Sequence, residues 1–182
     1  MNQERTRLSR FLSLVLRHRP EVIGLQLDPN GWVSVRELID AVAKAGHQID
    51  PDILDKVVEQ NDKQRFAFDE TRTRIRASQG HSVSVDLALE PKTPPELLYH
   101  GTASRNLDSI RRSGLQKQQR HHVHLTANHD TARAVGARYG HAVVLTVRTG
   151  DMHRDGCVFY QSENAVWLVD NVPARYIDRS TV

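Results

Sequence analysis

Three prolines, Pro91, Pro94 and Pro95, fall within five residues and divide the chain into two stretches with different patterning. So dense a run continues neither a helix nor a central strand, because each ring fixes φ and removes an amide donor. The stretches on either side of it must therefore find separate hydrophobic partners. The stiff segment 91–95 is expected to link two lobes, residues 1–90 and 96–182. A chain of 182 residues is long enough for two small domains.

Before the prolines the pattern is helical. Leu8, Phe11, Leu12 and Val15 recur at i, i+3, i+4, i+7, so residues 3–18 read as an amphipathic helix that Pro20 prevents from continuing. Ser34 with Glu37 three residues on forms a capping box for a second helix that buries Leu38, Ile39 and Val42 and stops at Gly46. Asp50 followed by Pro51 opens a third, with Leu54, Val57 and Val58 facing inward. Residues 65–68 and 74–77 then look like two strands around the polar turn 69–73. Three short helices and a hairpin are the order of a winged helix.

After the prolines, short strands alternate with short helices: strand 97–99, helix 106–113 closed by Gly114, strand 123–126, helix 130–138 closed by Gly140, and strand 142–147. Further strands are expected at 158–160, 166–169 and 175–177, which makes this lobe mixed α+β.

Charge and cysteine content narrow the function. The net charge is only +3, yet residues 1–19 carry +4, residues 20–64 carry −5 and residues 105–138 carry +5. Two basic patches suit a polyanionic partner, although solvated helix faces give the same count. One cysteine, Cys157, excludes internal disulfides and thiolate-rich zinc sites and fits a reducing compartment. No window approaches about 18 consecutive apolar residues, and MNQERTRLSRFL lacks an apolar signal core. A cytoplasmic protein with no membrane partner is expected.

Seven of the ten histidines lie between His100 and His153, so metal binding has to be weighed. His122 and His124 alternate onto one strand face, but there is no HExxH and no carboxylate at the usual spacing, and no metal is expected. GxxxxGK[ST], GxGxxG and GxSxG are absent, which removes kinase, Rossmann dehydrogenase and serine hydrolase readings. What remains is arginine beside histidine: LRH at 16–18, RASQGHS at 76–82, YHGT at 99–102 and RHHVHLT at 120–126.

In that order, with GLQL, KTPPELLYHGT, VGARYG and ENAVWL around them, these segments resemble the NAD-dependent RNA 2′-phosphotransferases, tRNA 2′-phosphotransferase type and bacterial-like. The resemblance covers nearly the whole chain. It implies a winged-helix lobe joined to an ADP-ribosyltransferase-like lobe. It also implies a role in RNA processing of the tRNA-splicing kind, in which an internal RNA 2′-phosphate displaces nicotinamide from NAD. The resulting 2′-phospho-ADP-ribosylated RNA then yields 2′-hydroxyl RNA and ADP-ribose 1″,2″-cyclic phosphate.

Charge chemistry suits these residue types to such a reaction. A phosphomonoester carries about two negative charges, which planar guanidinium forks hold well, and proton transfer near neutrality calls for a histidine. By resemblance Arg17, Arg76 and Arg120 grip the phosphate and His18 assists the second step, in a cleft between the lobes. The same resemblance assigns NAD contacts to His100, Gly101, Thr102 and His124, with glycine allowing close backbone approach, and to Arg138 as a pyrophosphate contact. Without the resemblance, Arg17 and His18 read as a helix C-terminal charge, Arg76 as a cross-strand partner and Arg120 as a solvated loop residue.

Two other functions compete. A non-catalytic winged-helix nucleic-acid-binding protein would want basic second and third helices, whereas residues 34–60 are acidic on balance. An ADP-ribosyltransferase acting on protein would want a glutamate where Val166 stands, with Glu163 nearby, while one acting on terminal nucleic-acid phosphates would use the same residues. The expected partner is RNA with an internal 2′-phosphate, tRNA-like or otherwise, and the expected state is a monomer.

Overall fold

The computed structural model describes residues 3–60 and 64–178, and the chain separates into two units, Met1–Ala88 and Leu89–Val182. In the first, α1 (Gln3–Arg17) buries Leu8, Leu12, Val15 and Leu16, the stripe its helical spacing predicts. It stops where the His18 and Arg19 amides both donate to the Leu14 carbonyl and Pro20 comes next. The short strand β1 (Val33–Ser34) leads into α2 (Val35–Lys44), whose first turn is capped by Ser34 Oγ accepting from the Glu37 amide at 3.4 Å. Asp50 Oδ1 accepts from the Ile53 amide at 2.7 Å and starts α3 (Pro51–Glu59).

The hairpin β2 (Phe66–Phe68) and β3 (Arg74–Ala77) forms as expected, but β3 is the centre of a three-stranded antiparallel sheet in the order β1-β3-β2. Two residues are too few to show alternation, so β1 left no periodic trace in the sequence. Leu12, Leu38, Leu54 and Ile75, one from each of the three helices and one from the sheet, are fully buried together.

The second unit combines helices with antiparallel strands, so the chain as a whole is mixed helix and strand, compatible with α+β. In order it contains β4 (Leu97–Ala103), α4 (Leu107–Ser113), β5 (Leu115–Gln116), β6 (Val123–Leu125), α5 (His129–Gly136), β7 (Ala142–Arg148), α6 (Thr149–Arg154), β8 (Tyr160–Gln161), β9 (Trp167–Val169) and β10 (Asn171–Val172). Strand β4 runs four residues past its expected end because it pairs with β7 along its whole length, from Leu97↔Arg148 to Ala103↔Ala142. A second sheet has the order β6-β9-β8. Tyr99 and Thr126 exchange both amide-to-carbonyl bonds, at 2.8 and 2.9 Å, and so fasten β4 to the end of β6.

Two expectations are corrected. Residues 175–177 are not a strand: Ala174–Tyr176 forms a 3-10 turn, and only Ile177 makes a bridge, to Val147. The helix expected over 130–138 ends at Gly136 and tightens into a 3-10 turn over Ala137–Tyr139. The proline stretch is fastened to the second unit. Pro91 bridges to Tyr160, the Lys92 amide donates to the Phe159 carbonyl, and the Pro95 carbonyl accepts from Thr149 Oγ1 at 2.7 Å, all within that unit. Among the described residues, no helix is long and apolar enough to cross a membrane.

Candidate active site

The segment RASQGHS organises the candidate residues of the first unit. Its strand residues Arg76 and Ala77 belong to β3, and Ser78 leaves the sheet with its amide on the Arg65 carbonyl at 2.9 Å and its hydroxyl on the Gln64 carbonyl. Gly80, at φ +85°, then turns the chain, a conformation that side chains disfavour. His81 is buried after the turn, and the amides of Ser82 and Val83 both donate to the Arg17 carbonyl, at 2.9 and 3.3 Å. These bonds satisfy a terminal carbonyl of α1 and tie the segment to the end of that helix.

Three predicted residues are positioned by that arrangement. Arg17, half-buried, donates from Nη2 to the Arg65 carbonyl at 3.2 Å, the oxygen that also takes the Ser78 amide. His18 is exposed, with Nδ1 and Ser82 Oγ 2.9 Å apart, which turns Nε2 to the far side of the ring. Arg76, half-buried, lays its guanidinium over the Trp32 ring, Cζ 4.4 Å from the centroid, and donates from Nη1 to the Leu87 carbonyl at 3.4 Å. The segment from Arg76 to Leu87 thus holds His18 and Arg76 by side-chain contacts and Arg17 by its backbone carbonyl.

In the second unit, Arg120, His124 and His100 form a directed chain. A guanidinium only donates, so the 3.0 Å contact from Arg120 Nη1 makes His124 Nδ1 the acceptor and leaves the ring proton on Nε2. A carbonyl only accepts, so His100 Nδ1, 2.9 Å from the His124 carbonyl, carries its proton and His100 Nε2 presents a lone pair. Burial, reinforced by the charge of Arg120, holds the His100 pKa below the usual histidine value despite the opposing carbonyl bond. His100 is accordingly a neutral acceptor at pH 7.

Thr102, two residues along the strand, is buried and accepts from Asn106 Nδ2 at 3.0 Å through Oγ1. The glycine between them also lies where two elements meet closely. A Cβ on Gly101 would lie 1.7 Å from the Ala132 carbonyl oxygen, so its absence allows α5 to approach β4 closely. Arg138 is exposed in the 3-10 turn after α5 and has no hydrogen-bond or ion-pair partner among the described residues. It is not joined to the His100–His124–Arg120 chain by any hydrogen bond.

Two contributors were not anticipated. Ser82 lay inside a segment singled out for its arginine and histidine, and its hydroxyl contact appears only once the segment reaches α1. Trp32 precedes a two-residue strand and had no pattern to mark it. His122, given no role, rests edge-on against Tyr160 with ring centroids 5.6 Å apart. Among the described residues, no group of three or more His, Cys, Asp or Glu side chains is arranged to hold a metal ion.

The family described as RNA 2'-phosphotransferase, Tpt1 / KptA family, matches residues 3–171. The chain is 56% identical over 171 residues to a probable RNA 2'-phosphotransferase of Flavobacterium johnsoniae, covering 94% of each protein. It is 53% identical over 173 residues to one of Nostoc punctiforme, covering 95% of this chain and 96% of the relative. Another, from Streptomyces coelicolor, is 53% identical over 178 residues, 97% of each.

Proposed function

Because the chain belongs to the Tpt1 / KptA family of RNA 2'-phosphotransferases, we propose that it removes an internal 2′-phosphate from RNA by transferring it to NAD. On this reading the first unit is a winged-helix RNA-binding lobe and the second an ADP-ribosyltransferase-like lobe. The observation that carries it is the grouping of Arg17, His18 and Arg76 by one segment, through the Ser82 and Val83 amides on the Arg17 carbonyl, Ser82 Oγ at His18 and the Leu87 carbonyl at Arg76.

Arg17, Arg76 and Arg120 act as charge-assisted donors to the phosphate. They hold a dianion in line with the carbon it attacks, so most of the rate gain comes from orientation and charge compensation. His18, fixed at Nδ1 by Ser82, moves a proton at Nε2 as the phosphoryl group passes on.

The polar groups of β4 and β6 fit a dinucleotide. His100 Nε2 would serve as an acceptor for a hydroxyl of the dinucleotide, His124 Nε2 as a donor, and the Thr102 hydroxyl proton as a second donor while its oxygen serves Asn106. When bound, NAD supplies an electrophilic ribose carbon with nicotinamide as leaving group. Arg138 is the candidate for its pyrophosphate.

The test is incubation of the full chain with NAD and a short RNA bearing one internal 2′-phosphate, with products resolved by chromatography. Release of 2′-hydroxyl RNA, nicotinamide and ADP-ribose 1″,2″-cyclic phosphate is expected. Phosphate retained on the RNA in the presence of NAD would refute the reading.

A further inference from the structure

We propose that Trp32 is a positioning residue for Arg76: its indole face holds the guanidinium flat, with the in-plane N–H donors aimed at the phosphate. The inference rests on the reading of Arg76 as a phosphate-gripping side chain.

A guanidinium keeps its donors in one plane, so a partner lying against its face restrains it without using any of them. Trp32 is placed to be such a partner, with Arg76 Cζ over its ring at 4.4 Å from the centroid, while the Leu87 carbonyl takes one Nη1 hydrogen. Face and edge together fix both the tilt and the rotation of the group.

The ring is itself built in. The amides of Asn30 and Trp32 donate to Asp28 Oδ1 at 2.9 and 2.8 Å, the Gly31 amide donates to the Asp28 carbonyl, and the Asp28 amide donates to the Trp32 carbonyl. Gly31 adopts φ +81°, which completes this tight loop. The antiparallel pairing of Val33 with Ile75 then sets Trp32 opposite Arg76. The same loop fastens the other partner, because Asn30 Nδ2 donates to the Asp86 carbonyl at 2.6 Å and the Asp86 amide donates to the Pro29 carbonyl at 2.8 Å, next to Leu87. Arg74, on the same face of β3, also lies over the ring at 5.5 Å but is committed to Asp69 and Asp28, so it does not compete as a phosphate donor.

The experiment measures binding of a short RNA with one internal 2′-phosphate, and of the same RNA with a 2′-hydroxyl, by tryptophan fluorescence and by anisotropy of labelled RNA, without NAD. Trp32→Leu should weaken the phosphorylated RNA on the order of 3- to 30-fold and leave the hydroxyl RNA unchanged. Trp32→Phe, which keeps an aromatic face, should stay within about 3-fold of the parent. The fluorescence response to the phosphate should vanish in both variants.

Arg76→Lys supplies the control that a merely structural role would not satisfy. Lysine has no plane to stack and keeps only a point charge's attraction for the ring, so adding Trp32→Leu to Arg76→Lys should cost clearly less than adding it to the parent. If Arg76→Ala weakens the phosphorylated RNA but Trp32→Leu does not, or if Trp32→Leu weakens binding equally in the Arg76→Lys background, the inference is overturned and the proposed function stands. Should the parent fail to distinguish the two RNAs and Arg76→Ala change nothing, both are overturned.

Discussion

Gly101→Ala separates a packing role from a ligand-contact role. The added methyl would meet the Ala132 carbonyl oxygen at 1.7 Å, its carbon at 2.6 Å and the Gly136 amide nitrogen at 2.9 Å. All three atoms are backbone, so no side chain can swing away, and α5 would have to retreat from β4 by at least about 1.3 Å. Overpacking of this kind costs about 1–3 kcal/mol when the neighbours can yield and more when they cannot. A loss of roughly 3 kcal/mol lowers the melting temperature of a unit of about 100 residues by roughly 12–24 °C.

Gly136→Ala is the internal comparison. Its methyl would meet the Thr102 carbonyl oxygen at 2.7 Å, a milder conflict, and alanine regains about 1 kcal/mol of helix propensity at the end of α5. A fall in melting temperature smaller than that of Gly101→Ala is expected there. Calorimetry of both variants, with circular dichroism to check folding, makes the measurement. A Gly101→Ala protein that melts within about 4 °C of its parent yet no longer binds NAD would refute the packing account and return the glycine to the ligand.

Ser82→Ala removes the hydroxyl that fixes His18, and loss of about 0.5–1.5 kcal/mol of orientation should lower kcat by about 2- to 12-fold with KM for RNA unchanged. Ser82→Thr should recover it, and a changed KM with normal kcat would contradict the assignment. Arg120→Ala should cut turnover about 10²–10³-fold by steady-state assay, with Arg120→Lys restoring little because a point charge cannot replace the fork; turnover near the parent's would refute this. The depressed pKa of His100 has a definite sign in stability: nothing is lost above the unfolded value of 6.5, and stability falls as pH drops below it, because the unfolded chain takes up a proton that the fold excludes. His100→Gln keeps a donor for the His124 carbonyl but does not titrate, so it should flatten the fall in melting temperature between about pH 7 and 5.5, and an unchanged slope counts against it.

Local signals made part of this architecture readable in advance. The stripe of Leu8, Leu12 and Val15, the caps at Ser34 and Asp50 and the hairpin around 69–73 are written in neighbouring residues, and they formed as read. Elements whose existence depends on a distant partner were not readable. Strand β1 needs β3, β5 needs β10, and residues 175–177 have strand-like composition but only one bridge to accept them. At the candidate site, the arginines and histidines were visible as residue types in ordered motifs. Their restraints were not, because Ser82, Trp32 and the Leu87 and Arg65 carbonyls act through contacts that no spacing rule encodes.

The attachment of the proline stretch bears on how this protein can be dissected. Excising the C-terminal half at residue 96 would strand a donor on Thr149 and an acceptor on Phe159, both in interior positions. A fragment that starts at Leu89 keeps both bonds, so the natural seam for cutting lies upstream of the first ring rather than among the rings.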